Sequence, residues 1–320
     1  MDNLESNYID ISFALLKRLN RPLIFDVYVK RGENSFSKIF KKGDLLDFDR
    51  IRVYEEKGID VFYVTEEEHS LYCIYVEKLG EVLNERAQSF KPNEAHEVLK
   101  ELSQHTLREI QETLEVSSAS IKNAKNVVDG CIRRVSKDPK NVIKVMKLLS
   151  HQPYQLKHSV SVSMFAVLLA IADGMESDLN IQSVGLGGFF HDIGIGQLTF
   201  DPEDQKFLTA EQRKEMWRHP ELGKEMLEQV KGIKSDVVQI VLQHHEQPNG
   251  HGYPNGLRGP EIYYPAKIVA IADAFCSLIS KKSYREAYPV SKAVEKLKED
   301  HGKYDKKILE TLTKLVLPNF

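Results

Sequence analysis

The sequence has few cysteines and no long apolar run, and both shortages narrow the class of protein. Its three cysteines, Cys73, Cys131 and Cys276, lie far apart without CxxC spacing, which argues against a thiolate metal site or a disulfide framework. No uninterrupted apolar stretch reaches the roughly 18 residues that a membrane-spanning helix needs. The N-terminal residues are acidic where a secretory signal would be basic. We therefore expect a cytoplasmic protein that does not cross a membrane.

The sequence also lacks an excess of charge of either sign. Its 44 basic and 47 acidic residues nearly cancel, so the totals predict no long-range field that would gather a nucleic acid polymer or an anionic membrane. An anionic ligand would have to be held by a local site. What the chain does have is 320 residues with 42% apolar content, which is enough for more than one domain with a buried core.

Three patterns of residues follow one another along the chain. Residues 1–70 alternate short apolar runs with turn residues, which predicts a small α/β domain of unknown role. Residues 71–120 carry Leu, Glu, Lys and Ala at helical spacings and are predicted to form a helical connector. Helical patterns continue through residues 121–320 with short interruptions, which predicts an all-α bundle. The expected fold class is mainly α, with the small α/β domain at the N-terminus.

Several local signals predict individual elements within these regions. An apolar run, a turn and an alternating run over residues 23–40 predict a pair of strands. Asp47 is suitably placed to cap a following helix. In the C-terminal half, Thr209 and Gln212 have the form of a capping box, which predicts a helix that runs as far as His219.

Histidine and aspartate residues recur through the predicted bundle at intervals that suit a shared site. Successive members lie roughly 25 to 33 residues apart, about the length of a helix, its loop and a returning helix. Such steps bring the chain back to the same end of a bundle, and adjacent residues on a helix can both face one cavity. The seven candidate ligands are His158, His191, Asp192, His219, His244, His245 and Asp273.

The chemistry of this ligand set points to catalysis by paired metal ions. Imidazole and carboxylate groups without thiolates favour iron, manganese or another borderline-to-hard divalent ion. Two such ions about 3.5 to 4 Å apart can activate a hydroxide and stabilise the leaving oxygen of a phosphodiester. A single histidine is more often a partly buried residue with no ligand role. The prediction therefore depends on the joint pattern.

One segment carries a specific resemblance. Residues 244–259 read HHEQPNGHGYPNGLRG, which closely resembles the signature of the HD-GYP family, HHExxDGxGYPxGLxG. The same resemblance covers His191 to Gly194, His158, His219 and the stretch around Asp273, and it spans about residues 121–320. Proteins similar to this are bacterial phosphodiesterases of the HD superfamily. They hydrolyse cyclic di-GMP to pGpG or GMP at metal sites in a helical bundle.

The resemblance implies a metal role for each matched ligand. Asp192 would bridge two ions beside the attacking hydroxide, which makes it the predicted catalytic residue. Family members with three metals carry a Glu one helical turn before the first histidine, where this chain has Tyr154. A binuclear centre of iron or manganese is therefore implied. The core ligands would be His158, His191, Asp192 and Asp273, and His219, His244 and His245 would complete the second metal.

The resemblance also implies contacts with substrate and with a partner. The Gly-rich loop can fold compactly beside the metals because its glycines permit positive φ and close backbone approach. It would contact cyclic di-GMP, and it would serve for docking onto diguanylate cyclase (GGDEF) domains. Two basic residues further on are candidate contacts for phosphate, and the alternative is that they form a solvated basic edge. The predicted substrate-binding residues are Gly252, Tyr253, Pro254, Lys282 and Arg285.

This chain departs from the family pattern at positions that would affect hydrolysis of the substrate. The family's HDxGK element ends in a lysine that resembles a phosphate contact, and this chain has Ile195 at that position. Cys276 replaces an acidic residue, Lys282 replaces an arginine that could bind phosphate with a planar fork, and Asn249 replaces the aspartate of the loop. These changes spare the predicted ligands but weaken the predicted handling of phosphate.

The sequence is compatible with three hypotheses about the function of the protein. The first is a metal-dependent cyclic di-GMP phosphodiesterase. The second is a metal-loaded protein with little or no activity that acts as a cyclic dinucleotide receptor or as a protein-interaction module, which Ile195 and Cys276 favour. The third is an HD-superfamily enzyme acting on another nucleotide, which would not require the Gly-Tyr-Pro loop.

Overall fold

The computed structural model divides into two compact units, Met1–His105 and Thr106–Phe320. Most of the assigned secondary structure is helical, and the described residues contain a four-stranded sheet, so the expected mainly α fold is confirmed. The finer division of the chain at residues 70 and 120 stays a prediction. None of the helices in the described ranges is long and apolar enough to cross a membrane. The structure describes residues 7–11, 21–32, 35–59, 61–85, 92–137, 154–202, 205, 207–282 and 285–317.

A four-stranded antiparallel sheet organises the first unit. Its strands are β1 Tyr8–Ile11, β2 Val27–Gly32, β3 Ser35–Phe40 and β4 Phe62–Thr65, and they pair in the order β1-β4-β2-β3. Val29 and Val64 are fully buried, while Tyr28 and Tyr63 beside them are half-buried, because successive residues of a strand point to opposite faces. The pairing of β2 with β3 confirms the strand pair predicted over residues 23–40.

Helix α1, Phe48–Glu56, begins where the sequence predicts. Asp47 Oδ1 accepts hydrogen bonds from the backbone N–H groups of Asp49 (3.0 Å) and Arg50 (3.2 Å). Two N–H groups that the first turn leaves without helical partners are thereby satisfied, and the predicted cap is confirmed. The next helices are α2 Glu66–Glu85 and α3 Pro92–Thr113, and the division between the two units falls within α3.

The second unit is a bundle of helices, as the sequence predicts. Two short 3-10 segments, Ile193–Gln197 and Gly259–Glu261, connect some of them. The predicted capping box is present, because Gln212 N–H donates to Thr209 Oγ1 (3.2 Å) and Thr209 N–H donates to Gln212 Oε1 (2.9 Å). The helices that follow α3 are α4 Ser118–Lys137, α5 Tyr154–Ala172, α6 Asp178–Phe190, α7 Ala210–Met216, α8 His219–Glu228, α9 Ser235–Gln243, α10 Tyr264–Ile279, α11 Val290–Glu299 and α12 Lys306–Val316.

The helix that follows the capping box is shorter than predicted. It ends at Met216, and His219 is the first residue of α8, so the prediction that one helix runs to His219 is wrong. The physical reason is Pro220, which has no N–H to donate to the carbonyl four residues earlier. That carbonyl belongs to Met216. The chain therefore turns between α7 and α8, and the Met216 carbonyl is left for another donor.

Helix α5 is enclosed by the bundle. Residues 158–170 are all buried, and the helix packs against α4, α6, α10 and α12. A helix enclosed in this way needs apolar or small side chains around its whole circumference. The run from Val160 to Ala170 contains only Val, Ser, Met, Phe, Ala and Leu, which meets that requirement.

Glycines allow α5 and α6 to approach closely. A Cβ added at Gly188 would lie 3.0 Å from Cα and 3.1 Å from N of Ser163. Ser163 Oγ donates a hydrogen bond to the carbonyl of Gly185 (2.7 Å) across the same contact. Because the two helices are consecutive and antiparallel, the start of α5 and the end of α6 lie at one end of the bundle. The candidate ligands His158 and His191 lie at that end.

Gly188→Ala is expected to destabilise the bundle. The added methyl group meets backbone atoms of Ser163, so α5 and α6 must separate, at a cost of about 1–3 kcal/mol. The midpoint of thermal unfolding should fall by several degrees, since about 1 kcal/mol corresponds to roughly 2–4 °C in a unit of this size. Gly259→Ala is the matched control, because nothing lies within 4 Å of the Cβ that it adds. Equal midpoints for the two variants would contradict this account.

Candidate metal centre

The side chains predicted as metal ligands meet at one end of the helical bundle. Most of them lie at helix ends, so the turn of the chain at each end brings a ligand into the same region. Four of the histidines, at positions 158, 191, 219 and 244, are no more than 3% exposed. The contributions are His158 from α5, His191 and Asp192 from the end of α6, His219 from the start of α8, His244 and His245 from the end of α9, and Asp273 from α10.

Two histidines and two aspartates form a first cluster. His158 Nε2 lies 2.9 Å from Asp273 Oδ1. His191 Nε2 lies 3.1 Å from Asp192 Oδ2 and 3.9 Å from Asp273 Oδ1. The two carboxylates thus face the same pair of rings, whose centroids are 5.2 Å apart.

Three histidines form a second cluster around the other oxygen of Asp192. Asp192 Oδ1 lies 3.4 Å from His219 Nε2 and 3.8 Å from His244 Nε2. The ring of His245 is 4.0 Å from that of His244 and 5.0 Å from that of His219, centroid to centroid. Asp192 therefore points one carboxylate oxygen at each cluster, which is the arrangement that a bridging carboxylate requires.

Backbone carbonyls fix the orientation of three of these rings. In each case Nδ1 lies within hydrogen-bond distance of the carbonyl three residues earlier, and a carbonyl can only accept, so Nδ1 carries the proton. In the neutral ring, Nε2 then keeps a lone pair for a metal. The carbonyls belong to final helical turns, where they have no intrahelical partner. The pairs are His191 with Gly188 (2.9 Å), His219 with Met216 (2.7 Å) and His244 with Val241 (2.7 Å).

Burial and neighbouring charge set the protonation of the clusters. Desolvation lowers the pKa of His244 and that of His245 well below the usual value, so both rings are neutral at neutral pH. Burial alone would raise the pKa of Asp192, but the positive charge of His191 holds it well below its usual value. Burial lowers the pKa of His191, but the charges of Asp192 and Asp273 outweigh it and raise that pKa to about 9. The site therefore favours positive charge beside the two carboxylates.

The donor set fits divalent metal ions. His191 Nε2 is buried and forms no hydrogen bond of acceptable geometry, although Asp192 Oδ2 is close. His219 Nε2 and His244 Nε2 are 3.2 Å apart, and two facing lone pairs repel unless a cation lies between them. Nitrogen and carboxylate donors suit borderline-to-hard divalent ions. Two groups could each hold an ion: His158, His191 and Asp192 form one, and Asp192, His219, His244 and His245 form the other.

Gly194 allows the segment after Asp192 to pack against the next ligand. A Cβ at this position would lie 2.2 Å from the carbonyl oxygen of His219 and 2.6 Å from the backbone nitrogen of Gly223. Any other residue would push the 3-10 segment away from α8. The glycine of the His-Asp-x-Gly element thus keeps Asp192 within reach of His219.

The Gly-Tyr-Pro loop folds directly over the second cluster. A Cβ at Gly252 would lie 2.3 Å from the backbone nitrogen of Gln247, so only glycine fits. Tyr253 N–H donates to the carbonyl of His245 (3.2 Å), and the two rings lie 4.7 Å apart. Pro254 follows a cis peptide bond. The structure therefore brings the predicted loop residues beside a candidate ligand, and their contact with substrate stays a prediction.

Sequence reasoning missed the role of Glu246 in this loop. Its side chain is 3% exposed, and its two carboxylate oxygens accept hydrogen bonds from the backbone N–H groups of Asn255 (2.7 Å) and Leu257 (2.9 Å). A buried carboxylate with two such donors holds the far side of the loop against the end of α9. The available signal was the glutamate of the His-His-Glu triplet, which is not among the predicted ligands.

Sequence reasoning also missed Trp217. Its ring stacks on Tyr253 with centroids 5.6 Å apart and planes inclined by 25°, and the residue is 48% exposed. An aromatic series therefore runs from His245 through Tyr253 to Trp217 at the surface. Its position two residues before His219 is the only hint that the sequence offers, and this spacing alone does not predict a stacking partner.

A cavity of about 620 Å³ opens over the clusters. Its size is within the usual range for small-molecule sites, roughly 300–1,000 Å³. Ile195 lies in its lining, at the position of the family's HDxGK lysine. Among the candidate residues, those that line it are His158, Asp192, His244, His245, Asp273 and Lys282.

Cys276 in α10 and Arg285 after it both have structural contacts. Arg285 donates from its guanidinium to the carbonyls of Ser277 (2.9 Å) and Leu278 (3.0 Å), near the end of α10. Its predicted contact with phosphate stays a prediction. Cys276 is fully buried, and this burial raises the pKa of its thiol well above the usual value. Cys276 is thus a neutral packing residue.

Fold and site together define a helical-bundle protein with a cluster of histidine and aspartate side chains that could bind metal ions. Residues 144–308, about half of the chain, match the HD domain family. The chain belongs to this family and is an HD-GYP member, as its Gly-Tyr-Pro segment predicts.

Relatives agree with this assignment. A protein of Pseudomonas aeruginosa, "Cyclic di-GMP phosphodiesterase PA4108", is 29% identical over 197 residues, which cover 61% of this chain and 47% of that protein. A protein of Vibrio cholerae, "3'3'-cGAMP-specific phosphodiesterase 2", is 36% identical over 107 residues, which cover 33% of this chain and 20% of that protein. The chain thus matches less than half the length of either relative.

A solved structure supports the fold. Bd1817, an HDG"Y"P protein from Bdellovibrio bacteriovorus, superposes with a TM-score of 0.68 at 23% identity, over 97% of this chain and 99% of that one. At this level of identity the similarity concerns the fold alone.

Glu246→Gln is expected to loosen the Gly-Tyr-Pro loop. An amide has one acceptor oxygen instead of two, so one of the bonds from Asn255 and Leu257 is lost, at a cost of about 1.5–3 kcal/mol. The chain has a single tryptophan, so the emission of Trp217 reports its stacking on Tyr253. We expect its emission to change in Glu246→Gln and to match the parent in Glu228→Gln, which alters an exposed residue. Identical emission and thermal stability in the Glu246 variant and the parent would refute this role.

Proposed function

We propose that the protein is a metal-dependent phosphodiesterase that hydrolyses cyclic di-GMP to pGpG or GMP. The observation that carries the proposal is the carboxylate of Asp192, whose two oxygens face two separate groups of histidines. A shared carboxylate between two such groups suits two metal ions, and paired ions suit phosphodiester hydrolysis. The names of the relatives support the substrate.

Each cluster would hold one ion, with Asp192 shared between them. The first ion would take His158, His191 and Asp273, and the second would take His219, His244 and His245. Iron or manganese suits these donors, because all are imidazole or carboxylate. When bound, the two ions supply Lewis acidity that polarises a phosphodiester and makes a nucleophile available from water at neutral pH.

The protein's own groups would orient the reaction. The carbonyls of Gly188, Met216 and Val241 hold the ligand rings so that their Nε2 atoms face Asp192. Tyr253 lies beside His245, and together with Gly252 and Pro254 it would exclude water and contact the nucleotide. Lys282 lines the cavity and would attract a phosphate. The exposed tip of the same loop, which includes Asn255 and Gly256, is our candidate surface for docking of a GGDEF domain.

A second candidate function is a metal-loaded cyclic dinucleotide receptor with little turnover. The observation that favours it is Ile195, an apolar residue in the cavity at the position of the HDxGK lysine. An apolar side chain cannot stabilise a phosphate or donate a proton to a leaving group. Binding would then survive while hydrolysis is slow.

Asp192→Asn tests the proposal. The protein is purified without oxygen, metal is counted per chain, and breakdown of cyclic di-GMP and of 3'3'-cGAMP is followed. We expect two metal ions per parent chain, and a loss of metal and of hydrolysis by about a hundredfold or more in the variant. Asp178→Asn, an exposed residue at the far end of α6, should match the parent.

The results of this experiment distinguish the phosphodiesterase from the cyclic dinucleotide receptor. A fully metal-loaded parent that binds cyclic di-GMP but yields no product would favour the receptor. Parental metal content and rate in Asp192→Asn would contradict both, because neither can keep the binuclear centre without its bridge. Preferred hydrolysis of 3'3'-cGAMP would retain the enzyme but change its substrate.

A further inference from the structure

Lysine side chains from the C-terminal part of the chain line the cavity over the metal clusters. Lys296 belongs to α11, Lys303 lies in the turn between α11 and α12, and Lys282 follows α10. Ile195 lies in the lining of the same cavity. The position that carries the HDxGK lysine in related sequences is therefore apolar here, while lysine residues from other elements line the same cavity.

We propose that Lys303, together with Lys296, binds a phosphate group of the nucleotide and so replaces the missing HDxGK lysine. The inference rests on the proposed function, because it concerns the same cavity. It gives a phosphate-binding role to two residues that lie outside the segments that carry the family resemblance.

The turn that carries Lys303 is fixed to the Gly-Tyr-Pro loop. Asn249 N–H donates to the carbonyl of Gly302 (3.0 Å), and Lys303 N–H donates to the carbonyl of Asp300 (3.1 Å). Gly302 has a φ of +77°, a conformation in which other residues are strained. Lys303 is thus held by a defined turn beside the loop that covers His245, and its reach into the cavity does not depend on a mobile segment.

The other end of the turn is equally anchored. Asp305 caps α12 by accepting hydrogen bonds from the N–H groups of Lys307 (3.1 Å) and Ile308 (3.4 Å). Lys267 of α10 lies 3.4 Å from the same carboxylate. The turn is therefore tied to α10, the helix that also carries the candidate ligand Asp273.

The ammonium group of Lys303 can be shared with an incoming anion. It pairs with Asp300 at 3.2 Å, and both side chains are substantially exposed, at 39% and 52%. Exposed pairs of this kind add little to stability, so a phosphate can join or displace Asp300 at small cost. Glu299 and Asp300 also line the cavity.

The guanidinium of Arg285, another predicted phosphate contact, is hydrogen-bonded to the main chain. The guanidinium of Arg285 donates to main-chain carbonyls near the end of α10 and lies over the ring of Tyr288, 4.7 Å from its centroid. The ammonium of Lys296 lies 5.3 Å from the same Tyr288 centroid, and Lys296 lines the cavity. Lys296 and Lys303 are thus among the residues that line the cavity, and Arg285 is not.

Lys303→Met and Lys296→Met test the proposal in the metal-loaded full chain. Methionine keeps much of the apolar length and removes the charge. Two quantities are measured: the affinity for inorganic phosphate, and KM and kcat for cyclic di-GMP. We expect each variant to bind phosphate about tenfold more weakly and to raise KM by a similar factor, with a smaller change in kcat. Lys298→Met in α11 and Lys306→Met at the start of α12 are exposed controls outside the lining and should match the parent.

A rescue variant adds a readout that a structural role would not give. Ile195→Lys in the Lys303→Met background should restore phosphate affinity to within a few-fold of the parent, because it returns a charge to the same cavity. Loss of metal or of folding in Lys303→Met would overturn the proposal. So would phosphate affinities equal to those of the control variants, or a parent that binds no phosphate.

The results also separate this inference from the proposed function. Lysine variants that lose phosphate affinity, in a protein that does not hydrolyse cyclic di-GMP, would sustain the inference and refute the enzyme. If the enzyme is active and its lysine variants keep the parent's phosphate affinity and KM, the proposed function stands and the role of the lysines is refuted.

Discussion

The free carbonyls at the ends of three helices determine where the ligand histidines point. Each helix leaves its last carbonyls without intrahelical donors, and in each case a histidine just beyond supplies one through Nδ1. The bond fixes both the tautomer and the ring, so that Nε2 faces Asp192. Pro220 contributes by removing the N–H that would otherwise satisfy Met216. The carbonyl at each helix end thus orients a histidine ring toward the carboxylate of Asp192.

The cavity depends on the same construction. Gly194 lets the segment after Asp192 pack against the backbone of His219, and Glu246 holds the Gly-Tyr-Pro loop by two backbone N–H groups. These contacts keep the loop over the second cluster and connect it, through Asn249, to the turn that carries Lys303. The candidate metal ligands, the loop and the turn that carries Lys303 are therefore connected through main-chain hydrogen bonds.

Motif spacing predicted much of the site, because helix length controls where the chain returns. The capping box at Thr209, the mainly α fold and the meeting of seven side chains at one end of a bundle all follow from local sequence. The end of α7 differs from the predicted position, because Pro220 has no N–H for the carbonyl of Met216 four residues earlier. The stacking of Trp217 and the commitment of Arg285 to main-chain carbonyls could not be predicted, because both depend on which elements become neighbours only in the folded chain.

We expect Asp192 to bridge two metal ions that bind the Nε2 atoms of the surrounding histidines. An anomalous-scattering crystal structure of the metal-loaded protein measures this directly. It should show two peaks about 3.5 to 4 Å apart, one on each side of Asp192, with nitrogen distances of roughly 2.0–2.2 Å to Nε2 atoms. A single peak, or ligation through Nδ1 of His191, His219 or His244, would contradict it.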